Sequence, residues 1–88
     1  MDKAATAAML AGLKDGVEPL GPGDVFYHPQ HGPMTVSRSL GWKDAMHFTP
    51  KNELKGIRVL AVTAKRQGKA KAERINFMLP APAAKKGA

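Results

Sequence analysis

Apolar and polar residues alternate most clearly near the end of the chain. Ile75, Phe77 and Leu79 interleave with Arg74, Asn76 and Met78. A period of two marks a strand with one buried face, and Pro80 ends it because proline has no N–H for a ladder. Ile57-Arg58-Val59-Leu60-Ala61-Val62-Thr63 is the most strand-like run. Its apolar residues at 57, 59, 60 and 62 predict burial mainly on one face, with Leu60 covered on the other. Shorter β-branched or aromatic runs predict strands at Val25–Tyr27 and Met34–Ser39, beside Arg58–Ala64 and Arg74–Leu79.

Turn residues punctuate these runs. Pro22-Gly23-Asp24 precedes Val25, and His28-Pro29 stops the first strand. Gly68, inside Lys65–Glu73, lets the chain reverse into a hairpin loop between the last two strands. Leu40–Gly56 reads as a longer connection. Within it Thr49-Pro50-Lys51-Asn52-Glu53-Leu54 predicts a helical turn, with Thr49 as cap and Pro50 at the first helical position.

The N-terminus is built of helix-forming residues instead. Asp2–Lys14 predicts a helix rich in Ala, capped by Asp2 and stopped at Gly16. Met9, Leu10 and Leu13 are its only large apolar anchors. It either packs lightly on the sheet or belongs to an intermolecular contact. Val17–Gly23 reads as a linker. Ala81–Ala88 has nothing to bury and predicts a disordered tail. The expected division is a helix at 1–16, a β domain at 17–82 and a basic tail at 83–88.

At 88 residues the chain is expected to make a single domain with a marginal core, too small for a deep active-site cleft. It has no Cys, which excludes disulfides and thiolate metal sites and fits a cytoplasmic protein. No apolar run approaches the ~18 residues of a membrane span, and no signal peptide is expected. Fourteen Lys and Arg against seven Asp and Glu leave a net charge of +7. That imbalance predicts attraction to nucleic acid or to an acidic protein surface.

The candidate chemistry is binding rather than catalysis. His28 and His31 are three apart, but Pro29 between them disfavours a shared helix, and a closed zinc site needs four ligands. They read better as turn residues. Ser37 and Ser39 lie in no nucleophile elbow, and Gly21-Pro22-Gly23 lacks the Lys-Ser/Thr of a phosphate loop. The chain therefore reads as non-enzymatic and without a cofactor or metal. Lys65, Arg66, Lys69, Lys71 and Arg74 fall within ten residues. Such a loop can follow a phosphate backbone and release counterions, or be merely solvated. Trp42 is either an exposed binding anchor or a cap on one end of the sheet.

The motif Gly23-Asp24-Val25-Phe26-Tyr27-His28-Pro29-Gln30-His31-Gly32 resembles the opening of the RNA-polymerase-interacting domain of the CarD and transcription-repair-coupling-factor family. The pair Ile57–Thr63 and Arg74–Pro80 resembles that domain's closing hairpin. The resemblance spans roughly residues 21–82. It implies a mainly β fold, a small SH3/Tudor-like barrel of four or five strands with a short N-terminal helix. It also implies docking on the β subunit of bacterial RNA polymerase by strand addition, which takes affinity from main-chain hydrogen bonds. By position the docking strand is Arg74–Leu79, with Asn76 and Met78 outward and Arg38 in support. The partner-binding candidates are thus Arg38, Trp42, Arg74, Asn76 and Met78. CarD proteins also carry a helical DNA-binding domain, and a barrel alone would act as a competitor or adaptor. The other reading is a basic SH3-like protein that holds DNA or RNA phosphates through Lys65, Arg66, Lys69, Lys71 and Arg74.

Overall fold

The computed structural model describes residues 1–79, and the expectations for Pro80 and the tail lie outside them. One helix precedes four strands: α1 (Lys3–Ala11), β1 (Val25–His28), β2 (Gly32–Phe48), β3 (Leu54–Arg66) and β4 (Ala72–Met78). The fold is mainly β. The strands form a single antiparallel sheet in the order β1-β2-β3-β4, each paired with its sequence neighbour.

This sheet is strongly curled. Strands one and four of a flat sheet would lie about 14 Å apart, at three spacings of about 4.8 Å. Yet Phe26 on β1 and Phe77 on β4 meet edge to face with ring centroids 5.2 Å apart. The two edge strands share one core, built of Leu13, Leu20, Phe26, Met34, Val36, Leu60, Val62, Ala64 and Phe77. The curl originates partly in β2, where the register against β3 slips between Val36 and Arg38 and again between Ser39 and Gly41. Each slip inserts one unpaired residue and sharpens the local twist.

β2 and β3 are far longer than the sequence pattern predicts. Leu40–Phe48 continues β2 rather than looping, because Gly41 through Phe48 pair residue by residue with Ala61 through Leu54. The predicted helical turn is the tip of this hairpin. Asn52 N donates to Thr49 O (2.7 Å) and Thr49 N to Glu53 O (2.9 Å). Asn52 has φ 63°, the left-handed position that follows a type I turn in a three-residue hairpin loop. The Thr-Pro opening suits both structures, and Asn52 decides for the hairpin.

Alternation on β3 also resolves differently from expectation. Leu60, Val62 and Ala64 point into the core, while Val59 and Ala61 are buried on the opposite face. Val59 lies between Lys43 and Met78, and Ala61 between Gly41 and Asn76, so neighbouring side chains shield them.

The N-terminal segment packs on the sheet. Asp2 caps α1, its Oδ1 accepting from Ala5 N at 2.8 Å. The helix stops at Gly12, and Gly16 instead serves a separate turn in which Val17 N donates to Lys14 O. Thr6 is 4% exposed, and its Oγ1 accepts the edge N–H of Tyr27 at 2.9 Å. The helix thereby covers the outer edge of β1, where an open strand would invite foreign pairing. Residues 13–20 then form a strap over the core's open end. Leu13 and Leu20 plug it, Val17 O accepts from Trp42 Nε1 (2.9 Å), and Glu18 accepts from Ser39 Oγ (2.6 Å). Asp15 holds Arg58 through two hydrogen bonds of 3.0 Å, and Asp44 takes a third at 2.9 Å. The expected linker is therefore part of the packed structure.

Thr6→Val keeps the shape of the contact and removes its acceptor. A net hydrogen bond is worth about 1 kcal/mol. The melting temperature should fall by about 4–8 °C, read by circular dichroism.

Candidate functional site

Register decides which side chains share a face, because directly opposed residues project to the same side. Arg38, Thr63 and Arg74 form one row across β2, β3 and β4. Thr35, Lys65 and Ala72 form the next. Gly41, Ala61 and Asn76 lie on the other flank, followed by Lys43, Val59 and Met78. All four rows lie on the face turned away from the core. Arg38, Lys43, Lys65, Arg74, Asn76 and Met78 are all exposed there.

No Asp or Glu stands in these rows. Glu73 and Asp44 belong to the opposite face, opposed to Ala64 and Arg58 respectively. Lys69 and Lys71 are exposed on the adjoining turn, where Lys69 N donates to Arg66 O and Gly68 has φ 80°. The result is a cationic sheet face with a low centre of Gly41, Ala61 and Thr63. All four rows end on β4, at Ala72, Arg74, Asn76 and Met78. Leu79 N donates to Arg58 O, which fixes the ladder parity. Residues 73, 75 and 77 turn their backbone groups to β3, and those of Arg74, Asn76 and Met78 face outward.

No protein family, curated protein or solved structure matches the chain. What it can do must be read from its own residues.

The structure thus brings together Arg38, Lys65, Arg74, Asn76 and Met78, with Lys69 and Lys71 beside them. It separates two others. Arg66 lies on the core-side face, where its Nε donates to Glu73 Oε2. Trp42 is half-buried against the core, with its indole N–H donated to Val17 O. That geometry answers to the end cap rather than to a free anchor. Lys43 is a member of the face that the sequence pattern missed. Five positions separate it from Arg38, an odd spacing that plain alternation puts on opposite faces, and the bulge at Leu40 brings the two together.

His28 and His31 sit at one rim of the core. Their rings stack with centroids 4.4 Å apart, and His28 Nδ1 accepts from Gln30 N (3.1 Å) and His31 N (3.3 Å). These bonds shape the tight turn into β2, completed by Gly32 at φ 73°. No cluster of three His, Asp or Glu suited to a metal occurs among the described residues.

Burial first, and then the charges of His31 and Arg66, push the His28 pKa below its ordinary 6.5, with Glu73 opposing them. Protonating Nδ1 would also displace both backbone donors. The unfolded chain therefore binds this proton more readily than the folded one. Stability is fully present above about pH 6.5 and is lost as pH falls toward the folded pKa. His28→Asn keeps a side-chain acceptor for the turn and removes the titration. Its melting temperature should fall less than wild type between about pH 7.5 and about pH 5. The carboxyls of Asp15 and Glu73 are held low, chiefly by hydrogen bonds from Arg58 and Arg66. They act in a separate, more acidic window.

Proposed function

We propose that the chain is a small non-enzymatic nucleic-acid-binding protein that seats a phosphate backbone on the outer face of β2, β3 and β4. The observation that carries this reading is the segregation of charge. Arg38, Lys43, Lys65 and Arg74 share a face with no carboxylate, and Lys69 and Lys71 extend it. Cations that merely aid dispersal are expected to be interspersed with acids, as they are on the opposite face, where Arg58 and Arg66 are both paired. No aromatic ring stands in the four rows, which favours contact with a backbone over base stacking. A cytoplasmic location belongs to this proposal. Among the described residues no helix is long and apolar enough to cross a membrane.

The open edge of β4 supports a second reading, docking on the β subunit of bacterial RNA polymerase as the CarD-like motif implies. α1 covers the edge of β1, whereas among the described residues no hydrogen bond outside the ladder engages the N–H of Arg74, Asn76 or Met78. Under this reading a strand of the polymerase adds beside β4, and the protein acts as a regulator of transcription.

Binding to duplex DNA and to the polymerase, side by side across a salt series, separates the two. Affinity for DNA that falls steeply with salt supports the first reading. Polymerase binding that survives salt, with weak DNA binding, would replace it with the second.

A further inference from the structure

A second open edge lies elsewhere on the sheet. β1 pairs with β2 over residues 32–35, and the ladder ends where Val36 bonds with Gly23 and Asp24. From Trp42 to Phe48, β2 has β3 on one side and, among the described residues, no strand on the other. The bond from Leu79 N to Arg58 O sets the parity here as well. Lys43 and Ala45 exchange bonds with β3, and the backbone groups of Asp44, Met46 and Phe48 face outward. Among the described residues no hydrogen bond outside the ladder uses these three N–H groups.

This edge also carries uncovered apolar surface. Met46 and Phe48 continue the core-side face beyond the core, and Leu54 stands directly opposite Phe48. The three are 61%, 61% and 57% exposed. The strap that shields the core reaches only as far as the Asp15–Arg58–Asp44 cluster. A two-stranded arm of this kind is marginal alone in water. The common protections for a bare edge are Pro, a covering helix or an inward charge. Between Ala45 and Phe48 the arm has none of them.

We infer that a second copy of the chain adds to this edge, antiparallel about a two-fold axis at Ala45. Identical strands paired this way close into a dimer with no further free surface of the same kind. The register follows from length and charge, since Ala45 is the midpoint of the free edge Trp42–Phe48. With the axis at Ala45, Asp44 opposes Met46 of the partner subunit and Lys43 opposes His47 of the partner subunit. Trp42 then opposes Phe48 of the partner subunit. Moving the axis to Asp44 or Lys43 sets like charges face to face. On the core-side face of the contact, Arg58 is already balanced by Asp15 and Asp44. The chain's excess positive charge lies on the other face.

The paired edge covers seven residues, about 24 Å at 3.4 Å per residue. That is a smaller contact than the ~800 Å² per partner of a standard interface. The dimer is therefore weak, with dissociation in the micromolar range. The two basic faces lie on the same side of a continuous eight-stranded sheet and repel. Salt strengthens the dimer, the reverse of its effect on phosphate binding.

Sedimentation equilibrium of the full chain, from about 5 μM to about 500 μM at ~0.15 and ~0.5 M salt, tests this. The expected result is a monomer–dimer equilibrium that shifts toward dimer with concentration and with salt. Met46→Pro removes an outward N–H and no ladder bond, and it should weaken the dimer at least tenfold. Phe48→Lys should do the same without touching the backbone. Ala72→Pro, the matching change on the β4 edge, should leave it intact, and circular dichroism verifies the fold of each variant. A monomer at every concentration overturns the inference. So does an oligomer larger than a dimer, or a dimer lost in A72P and retained in folded M46P and F48K.

Discussion

Replacing Arg38, Lys65, Lys71 and Arg74 together by Gln is expected to lower affinity for duplex DNA about a thousandfold at ~0.1 M salt. Six cations line the proposed surface: Arg38, Lys43, Lys65, Lys69, Lys71 and Arg74. If each neutralises one phosphate, the slope of log K against log salt is about −5, at about −0.9 per contact. The quadruple variant retains two of them, and its slope should flatten to about −2. Both numbers come from one binding isotherm repeated at several salt concentrations.

A general charge effect would give a different pattern. Lys3, Lys14 and Lys51 lie away from this face, on α1, beside it and at the tip of the β2–β3 arm. Their combined replacement by Gln lowers the net charge by a similar amount and should cost less than tenfold. Equal losses in the two variants would sink the localised site. Folding is not the concern here, because all four side chains are exposed and surface changes of this kind cost within about 0.5 kcal/mol each.

The sequence carried the local chemistry well. The period-two pattern of β4, the turn at Gly68 and the Asp2 cap all appear where their residue types require them. These features depend on neighbours within four or five residues. The long arm was not legible, because Leu40–Phe48 mixes Gly41, Lys43, Asp44 and His47 among its apolar residues. Its strand character comes from pairing with β3, a contact that no local pattern encodes. The bulges at Ser37 and Leu40 had a further consequence. Each shifts the alternation by one residue, and the one at Leu40, lying between them, puts Arg38 and Lys43 on one face although their spacing is odd.

The strap was hidden for a related reason. Pro19, Gly21 and Pro22 mark Val17–Gly23 as non-regular, which is correct. Irregular backbone is not the same as unpacked backbone. Leu13 and Leu20 bury themselves seven residues apart, a spacing that belongs to no strand or short turn. Asp15 finds Arg58 forty-three residues away. Charge segregation on the sheet face was half visible. The run Lys65–Arg74 was plain, but assigning Arg66 to the opposite side needed its partner Glu73, and recruiting Arg38 needed the register.

Phe26→Ala is expected to be the most damaging single substitution for the fold. Phe26 is fully buried on β1, an edge strand of only four residues. Its ring packs edge to face on Phe77 at 5.2 Å with an interplanar angle of 81°. That contact joins β1 to β4 and holds the sheet curled around Met34, Leu60 and Val62. Truncating a buried Phe to Ala costs about 3–5 kcal/mol, from lost burial and from the cavity left behind. A chain of this size has on the order of 5–10 kcal/mol in total. The melting temperature should drop on the order of 20 °C, at about 4–8 °C per kcal/mol for a domain this small. Phe26→Leu refills most of the space and should recover more than half of the loss, since volume rather than aromaticity supplies the larger part. Equal melting temperatures for wild type and F26A would mean that β1 does not close the core. Recovery of less than half in F26L would instead assign the larger share to the ring-on-ring geometry with Phe77.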